Sequence, residues 1–375
     1  MAVAFGFPQP SVQGYNSPVA LNEVYRDLQV DPADFYFKDI IPIKEYPTKM
    51  FAFDVIAPVT GTLRVGSEDG HHTPSQARNR RRVIATGVFR YDMRKLRPSD
   101  ITNQAAPGTL GELDPGLTES LLVQELSIET QYTLERDRVQ AMLGSLTLPL
   151  PDDPVNTVTF TYPDVFTATS ASTSASNYQI PVSWDHKNSD GLYDADILSD
   201  IMGQAMLMRG FATNSTFFYN YAIGRLISHN INIINAMGRS EYANLLGPSN
   251  GPGGVAIRGG QISTVLQWLT GIKACVQYDV GWNFNNGDGT FTYEPFLPDT
   301  RTLMVGNVNN QPIGVYAVGP TVENAGMMAP SSGLFLRVID QFQGHVEVCR
   351  LYKAGFFGLP LLFFQKALCA GTPVF

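Results

Sequence analysis

Four stretches of this sequence carry residue types at spacings that could do chemistry. Gly247-Pro248-Ser249-Asn250-Gly251 matches G-x-S-x-G, the turn that presents a serine nucleophile between a strand and a helix. Its flanks disagree with that role. A helix-like run, Tyr242 to Leu246, precedes the serine, and Gly251-Pro252-Gly253-Gly254 follows, where a helix would have to begin. A flexible loop accounts for the same residues. Asn283 to Glu294 has the length of a calcium loop, with Glu294 in the twelfth place. Asp288 stands where the turn glycine belongs, however, and Gly287 where a ligand belongs. A hairpin turn around Asn286-Gly287-Asp288-Gly289 explains this stretch better. His71-His72 has no Cys or carboxylate cluster at ligand spacing nearby, so it reads as a solvated loop pair. The fourth stretch holds Arg78, Arg80, Arg81 and Arg82. It is either a solvated charge run or a contact with an acidic patch on a neighbouring subunit or with DNA phosphates. Phosphate-binding glycine loops, H-E-x-x-H and C-x-x-C are absent. No catalytic residue, metal site or cofactor is expected.

The composition also argues against a solitary enzyme. Charged residues make up 16% of the 375 positions, against roughly 25% in an ordinary soluble domain. Either much surface is buried, or part of the exterior is covered by other subunits. The net charge is −8, whereas a dedicated DNA binder carries a basic surface. Such a wall can enclose DNA without gripping it. Cys275, Cys349 and Cys369 are odd in number and unpaired in spacing, so reduced buried thiols are expected. The first ten residues lack the basic and apolar regions of a signal peptide. The most apolar segment, Ala354 to Phe364, is too short to span a membrane and contains Pro360. A cytoplasm-like compartment is expected.

The elements that would position these residues read as α+β. Residues 1–45 form an arm with a short helix over Asn22 to Leu28 and an aromatic cluster, Phe35-Tyr36-Phe37. Residues 46–95 form a two-stranded excursion, with strands at Met50 to Ala57 and Val83 to Phe89 and a polar tip from Gly66 to Arg82. Such a hairpin is marginal alone and calls for a surface to lie on. Leu117 to Leu143 is the longest helix, about 40 Å. Leu121, Ile128, Tyr132, Val139 and Met142 share one face, and Gly144 is its stop. A strand over Val155 to Tyr162 and a Ser/Thr/Ala linker over Thr167 to Ser176 come next. Helices are expected over Asp194 to Arg209, Tyr221 to Ile227 and Ile262 to Leu269, with a glycine-rich break at Gly247 to Gly260. From Lys273 onward strands dominate, including separate ones at Val346 to Tyr352 and Leu359 to Phe364.

In order and spacing these features resemble the lambda-like major capsid protein E family of tailed phages, over nearly the whole chain. Leu21 to Ile43, with Phe35-Tyr36-Phe37 and Ile41-Pro42-Ile43, resembles the family's arm entering its extended loop. Glu135-Arg136-Asp137-Arg138-Val139-Gln140-Ala141-Met142-Leu143-Gly144 is similar to the charged stretch that ends its spine helix. Val158 to Tyr162, Trp184-Asp185, Asp194 and Ile197, then Gly210 before Ser215 to Tyr219, resemble the steps that follow. The Ser/Thr linker and the glycine-rich loop depart from the pattern.

The resemblance implies a tailed-phage major capsid fold. Its parts would be an arm (1–45), an extended β-loop (46–95), a peripheral domain (96–175 and 318–375, with spine helix 117–143) and an axial domain (176–317). It implies self-assembly through hexamers and pentamers into an icosahedral head that encloses DNA, in the host cytoplasm. With no long helical leader, a separate scaffold protein is expected; a portal and a decoration protein are further partners. Phe35, Tyr36 and Phe37, with Arg78, Arg80, Arg81 and Arg82 at the loop tip, are the expected inter-subunit contacts. The alternatives are a tail-tube or decoration protein, against which the long helix argues, and a hydrolase using Ser249.

Overall fold

The computed structural model describes residue 25 and residues 35–56, 80–97, 115–150, 153–171, 177–237, 246–248, 255–257, 261–285, 290–321, 333–341 and 349–375. The helix expected over 22–28 (Tyr25 apart), His71-His72, Arg78 and Ser249 lie outside them. After a 3₁₀ turn at Tyr36–Lys38 come β1 (Ile43–Glu45) and an antiparallel hairpin of β2 (Met50–Ile56) and β3 (Arg80–Thr86). β4 (Val88–Leu96) and a long helix, α1 (Pro115–Met142), follow. A second hairpin pairs β5 (Ser145–Leu150) with β6 (Asp153–Thr161). Next are β7 (Phe166–Thr169), β8 (Asn177–Gln179), α2 (Ile197–Met208), β9 (Thr213–Tyr219), α3 (Tyr221–Ser228) and α4 (Ile231–Ala236). Then come β10 (Leu246–Pro248), β11 (Val255–Ile257), α5 (Ile262–Thr270) and β12 (Ala274–Gln277). The chain ends with β13 (Gly281–Asn285), β14 (Phe291–Pro295), β15 (Thr302–Asn307), β16 (Gly314–Gly319), β17 (Phe335–Gln341), β18 (Cys349–Leu362) and β19 (Leu368–Gly371).

α1 begins with proline at its first helical position, where a missing N–H costs nothing. It stops at Gly144, whose φ of +98° suits glycine and whose N–H donates to Ala141 O. Its buried face is the expected one only toward the C-terminal end, where Val139 and Met142 are buried. Leu121 and Ile128 are exposed, while Glu119, Asp137 and Arg138 are buried beside Val123, Leu126 and Leu134. Charge marks solvent only when it is unpaired, and these charges are paired inside.

α1 packs on a five-stranded sheet of order β1-β16-β18-β17, with β4 also on β18. β18 is one strand of 14 residues, where two were expected. Pro360 lies inside it, and its carbonyl accepts a hydrogen bond from the Tyr162 hydroxyl at 2.7 Å. β4 has ended by then, its last pair being Gly358 with Val88. The missing N–H therefore falls where β18 has a neighbour on one side only.

A six-stranded sheet of order β12-β9-β15-β19-β7-β8 divides the interior in two. Strand alternation sends Phe218, Leu303, Val305, Leu368 and Ala370 into a first core with α1, and Phe217, Tyr219, Met304 and Cys369 into a second. α2, α3, α4 and α5 cover that second core. Thr167 to Thr169, expected in a linker, form part of β7, and the terminal β19 lies between β15 and β7. Asp196 caps α2 by accepting from Ser199 N, and Asn220 and Asn230 cap α3 and α4 in the same way.

Candidate functional site

The structure describes only part of the stretches whose chemistry the sequence raised. Gly247 and Pro248 lie in β10, which pairs antiparallel with β11, and Ser249 itself lies outside the described residues. The possible calcium loop is the β13–β14 hairpin, in which Trp282 Nε1 donates to Glu294 Oε2 at 2.9 Å across the pair Trp282 and Glu294. No group of three His, Cys, Asp or Glu gathers among the described residues. The three cysteines are buried and form no disulfide, and burial pushes the Cys275 and Cys369 thiols up to about 12. Such thiols are poor nucleophiles. No described helix is long and apolar enough to cross a membrane.

What α1 does bring together is three carboxylates, each facing one guanidinium and one phenol. Glu119 accepts from Arg350 Nη1 at 2.6 Å and from the Tyr352 hydroxyl, tying the helix to β18. Glu135 accepts from Arg138 Nη1 at 3.1 Å, the Tyr278 hydroxyl at 3.2 Å and the Phe37 N–H at 3.2 Å. Asp137 accepts from the Tyr316 hydroxyl at 2.7 Å, and its other oxygen lies 3.0 Å from Arg90 Nη2, close but out of line for a hydrogen bond. Burial raises the pKa of Glu135 and Asp137, opposed by Arg138 and Arg90. Burial, then the adjacent carboxylate, raises the Tyr278, Tyr316 and Tyr352 phenols. The three carboxylates each join α1 to another part of the fold. They are clamps that fix the register of helix, sheet and arm. Sequence reading missed them, although Glu-Arg-Asp-Arg inside a helix was a signal: four successive charges on an α-helix cannot all face solvent when the helix packs on both sides.

The arm is held by the second clamp. Arg138 Nε donates to Ile41 O at 3.0 Å, so Glu135 and Arg138 read the backbone of the turn at both ends. Phe37 sits with ring centroids 4.9 Å from both Phe218 and Tyr278, and Phe35 lies edge-on to Tyr132. Phe35 and Phe37 are thus buried in their own chain, and Tyr36, 49% exposed, is the member with surface to offer. The hairpin behaves likewise. Phe51, Phe53 and Val55 turn inward, Phe51 against Phe357 and Phe53 against Phe363, so the stem lies on its own body. Met50 and Ile84 face outward.

Arg80, Arg81 and Arg82 were expected at the loop tip, but they lie in β3 opposite Ile56, Val55 and Asp54. Alternation sends Arg81 to one side, where it pairs with Asp164 at 2.8 Å, and Arg82 to the other, 3.7 Å from Asp54. The outer hairpin face therefore combines Arg80 and Arg82 with Met50 and Ile84. On the second core, Met206 of α2, Tyr221 of α3 and Trp268 of α5 are each more than half exposed, as is Phe291 of the β13–β14 hairpin. A cavity of about 850 Å³ opens between α1, β4 and β13, where Arg136 lies over the Trp282 ring at 4.5 Å.

This arrangement of long helix, hairpin and two cores aligns over 95% of the chain with 99% of a protein assigned as the capsid protein of an E. coli CFT073 prophage. The TM-score is 0.54 at 11% sequence identity. The chain shares the fold of that prophage protein. A phage-related protein of Bordetella bronchiseptica RB50 also aligns, over 96% of this chain and 97% of its own, with a TM-score of 0.47 and 11% identity. No protein-family model matches the chain, and no curated protein sequence does.

Proposed function

We propose that this chain is the major capsid protein of a tailed bacteriophage, self-assembling into the icosahedral head that encloses the DNA. The observation that carries the reading is the alignment of almost the entire chain with almost the entire prophage capsid protein. The axial wedge is the second core with its helices. Met206, Tyr221 and Trp268 on its outside are the apolar surface that neighbours cover around local five- and six-fold axes. The peripheral part is α1 with the five-stranded sheet. The outer hairpin face, with Met50, Ile84, Arg80 and Arg82, and Tyr36 at the arm make the contacts between capsomers.

Each contact can be modest. Repetition in a closed shell multiplies them, and a tenfold gain per subunit needs only about 1.4 kcal/mol. A net charge of −8 lets the wall enclose DNA without holding it tightly. A separate scaffold protein, a portal and a decoration protein are the partners this role calls for, with assembly in the host cytoplasm.

The test is negative-stain microscopy of the expressed protein, alone and with the scaffold encoded beside it. Closed particles are expected. Reversing Arg80 and Arg82 together to Glu should reduce particle yield while the circular dichroism of the unassembled protein stays unchanged. Normal yield from that variant would remove the hairpin face from the contact set.

A further inference from the structure

Beneath α2 lies a polar group that the assembly reading does not use. Gln204 is fully buried on the inner face of the helix, and neither its Oε1 nor its Nε2 has a hydrogen-bond partner among the described residues. Thr302, the first residue of β15, is equally buried and its Oγ1 is equally unpaired. Gly371, the last residue of β19, brings the two together. A Cβ built there would meet Thr302 Oγ1 at 2.2 Å and both amide atoms of Gln204 at 3.4 Å. All three orphan atoms therefore lie within about 6 Å of one another, roughly twice the length of one hydrogen bond to water.

The chemistry of the set selects its ligand. An amide oxygen needs a donor, an amide nitrogen needs an acceptor, and a hydroxyl serves either way. A cation would suit the oxygens and repel the NH₂; an anion would suit the NH₂ and repel the amide oxygen. Water donates and accepts, and buried polar groups without protein partners are where internal waters sit. We propose that Gln204 and Thr302, with the glycine at 371 leaving room for the Thr302 hydroxyl, bind one structural water that ties α2 to the terminal strand. This stands whether or not the chain builds shells, because it concerns one subunit's interior.

The test is a crystal structure or particle reconstruction at a resolution that shows ordered solvent. One peak is expected within hydrogen-bond distance of both Thr302 Oγ1 and a Gln204 amide atom. It should persist in Thr302→Ser, which keeps the hydroxyl, and be lost in Thr302→Val, with the unfolding midpoint of the valine variant lowered by about 2 °C. A direct Gln204–Thr302 hydrogen bond with no peak would overturn the proposal, as would a peak unchanged in Thr302→Val. Neither readout requires assembly, so failure here is distinguishable from failure to form particles.

Discussion

The two cores on either side of the six-stranded sheet solve the burial problem in opposite ways. The first is threaded by charge: Glu119, Glu135, Asp137, Arg138 and Arg350 are all buried, and each carboxylate is matched to an arginine, on the same helix for Glu135, and to a tyrosine from another part of the fold. The second is built almost wholly from Ile, Phe, Met and Trp, with Asp200 and Gln204 as its principal polar members. Its helices also leave Met206, Tyr221 and Trp268 on the outside. Paired charges specify one register of helix on sheet, because a slip strands them, whereas an apolar interface tolerates small shifts at little cost. On the proposed assembly reading, the charged core frames the subunit, and the second core, with its exposed apolar residues, packs against copies.

Breaking a clamp should cost most. Arg350→Ala leaves Glu119 buried without its cation and should destabilise the protein by about 3–5 kcal/mol in denaturant titration. Replacing Glu119 and Arg350 together with Leu and Met should recover most of that loss, because both desolvation penalties disappear. A loss no larger than that of an exposed pair would erase the contrast between the cores. In the apolar core, Ile201→Ala removes a fully buried side chain and should cost about 3 kcal/mol, without dependence on salt.

Asp200 sharpens the comparison through pH. It accepts from Trp184 Nε1 at 2.8 Å and from the Tyr178 hydroxyl at 3.2 Å. Burial pushes its carboxyl up to about 6, opposed by those two donors and helped by Asp196. A carboxyl raised in the folded state binds its proton more tightly there than in the unfolded chain. Its contribution is fully present below the unfolded pKa, near 4, and is lost as the pH rises through about 6. Asp200→Asn should therefore raise stability at pH 7.5 by on the order of 2 kcal/mol and flatten the pH dependence between 4 and 7, read from thermal midpoints. An unchanged profile would show that Asp200 ionises without cost.

The smallest effect should come from Arg81, whose ion pair with Asp164 is exposed. Arg81→Ala should change stability by less than about 1 kcal/mol, and less still in high salt.

Much of the frame was legible because it rests on local signals. The glycine stop at Gly144, the acidic start of α2, the helices at α3 and α5 and the strand alternation of Phe51, Phe53 and Val55 all appear where the residues place them. What escaped were long-range pairings. The inward face of α1 was only partly legible, because Glu119 and Asp137 meet Arg350 and Arg90 from distant strands, and no periodicity reveals a partner. β18 was expected as two strands, Val346 to Tyr352 and Leu359 to Phe364, yet Lys353 to Gly358 between them stay paired with β4, a long-range partner that the sequence does not show. The arginines looked like a loop tip because three adjacent charges hide the alternation that puts Arg81 and Arg82 on opposite faces. Phe35 and Phe37 looked like surface for a neighbour, yet Tyr132, Phe218 and Tyr278 of the same chain already cover them.

Sedimentation velocity of the purified wild-type chain across a concentration series, with and without scaffold, weighs the assembly claim most directly. A boundary of closed-shell mass, growing at the expense of a slow one, is the predicted result. One slow boundary at every concentration, from a folded subunit that stays alone even beside its scaffold, would contradict it.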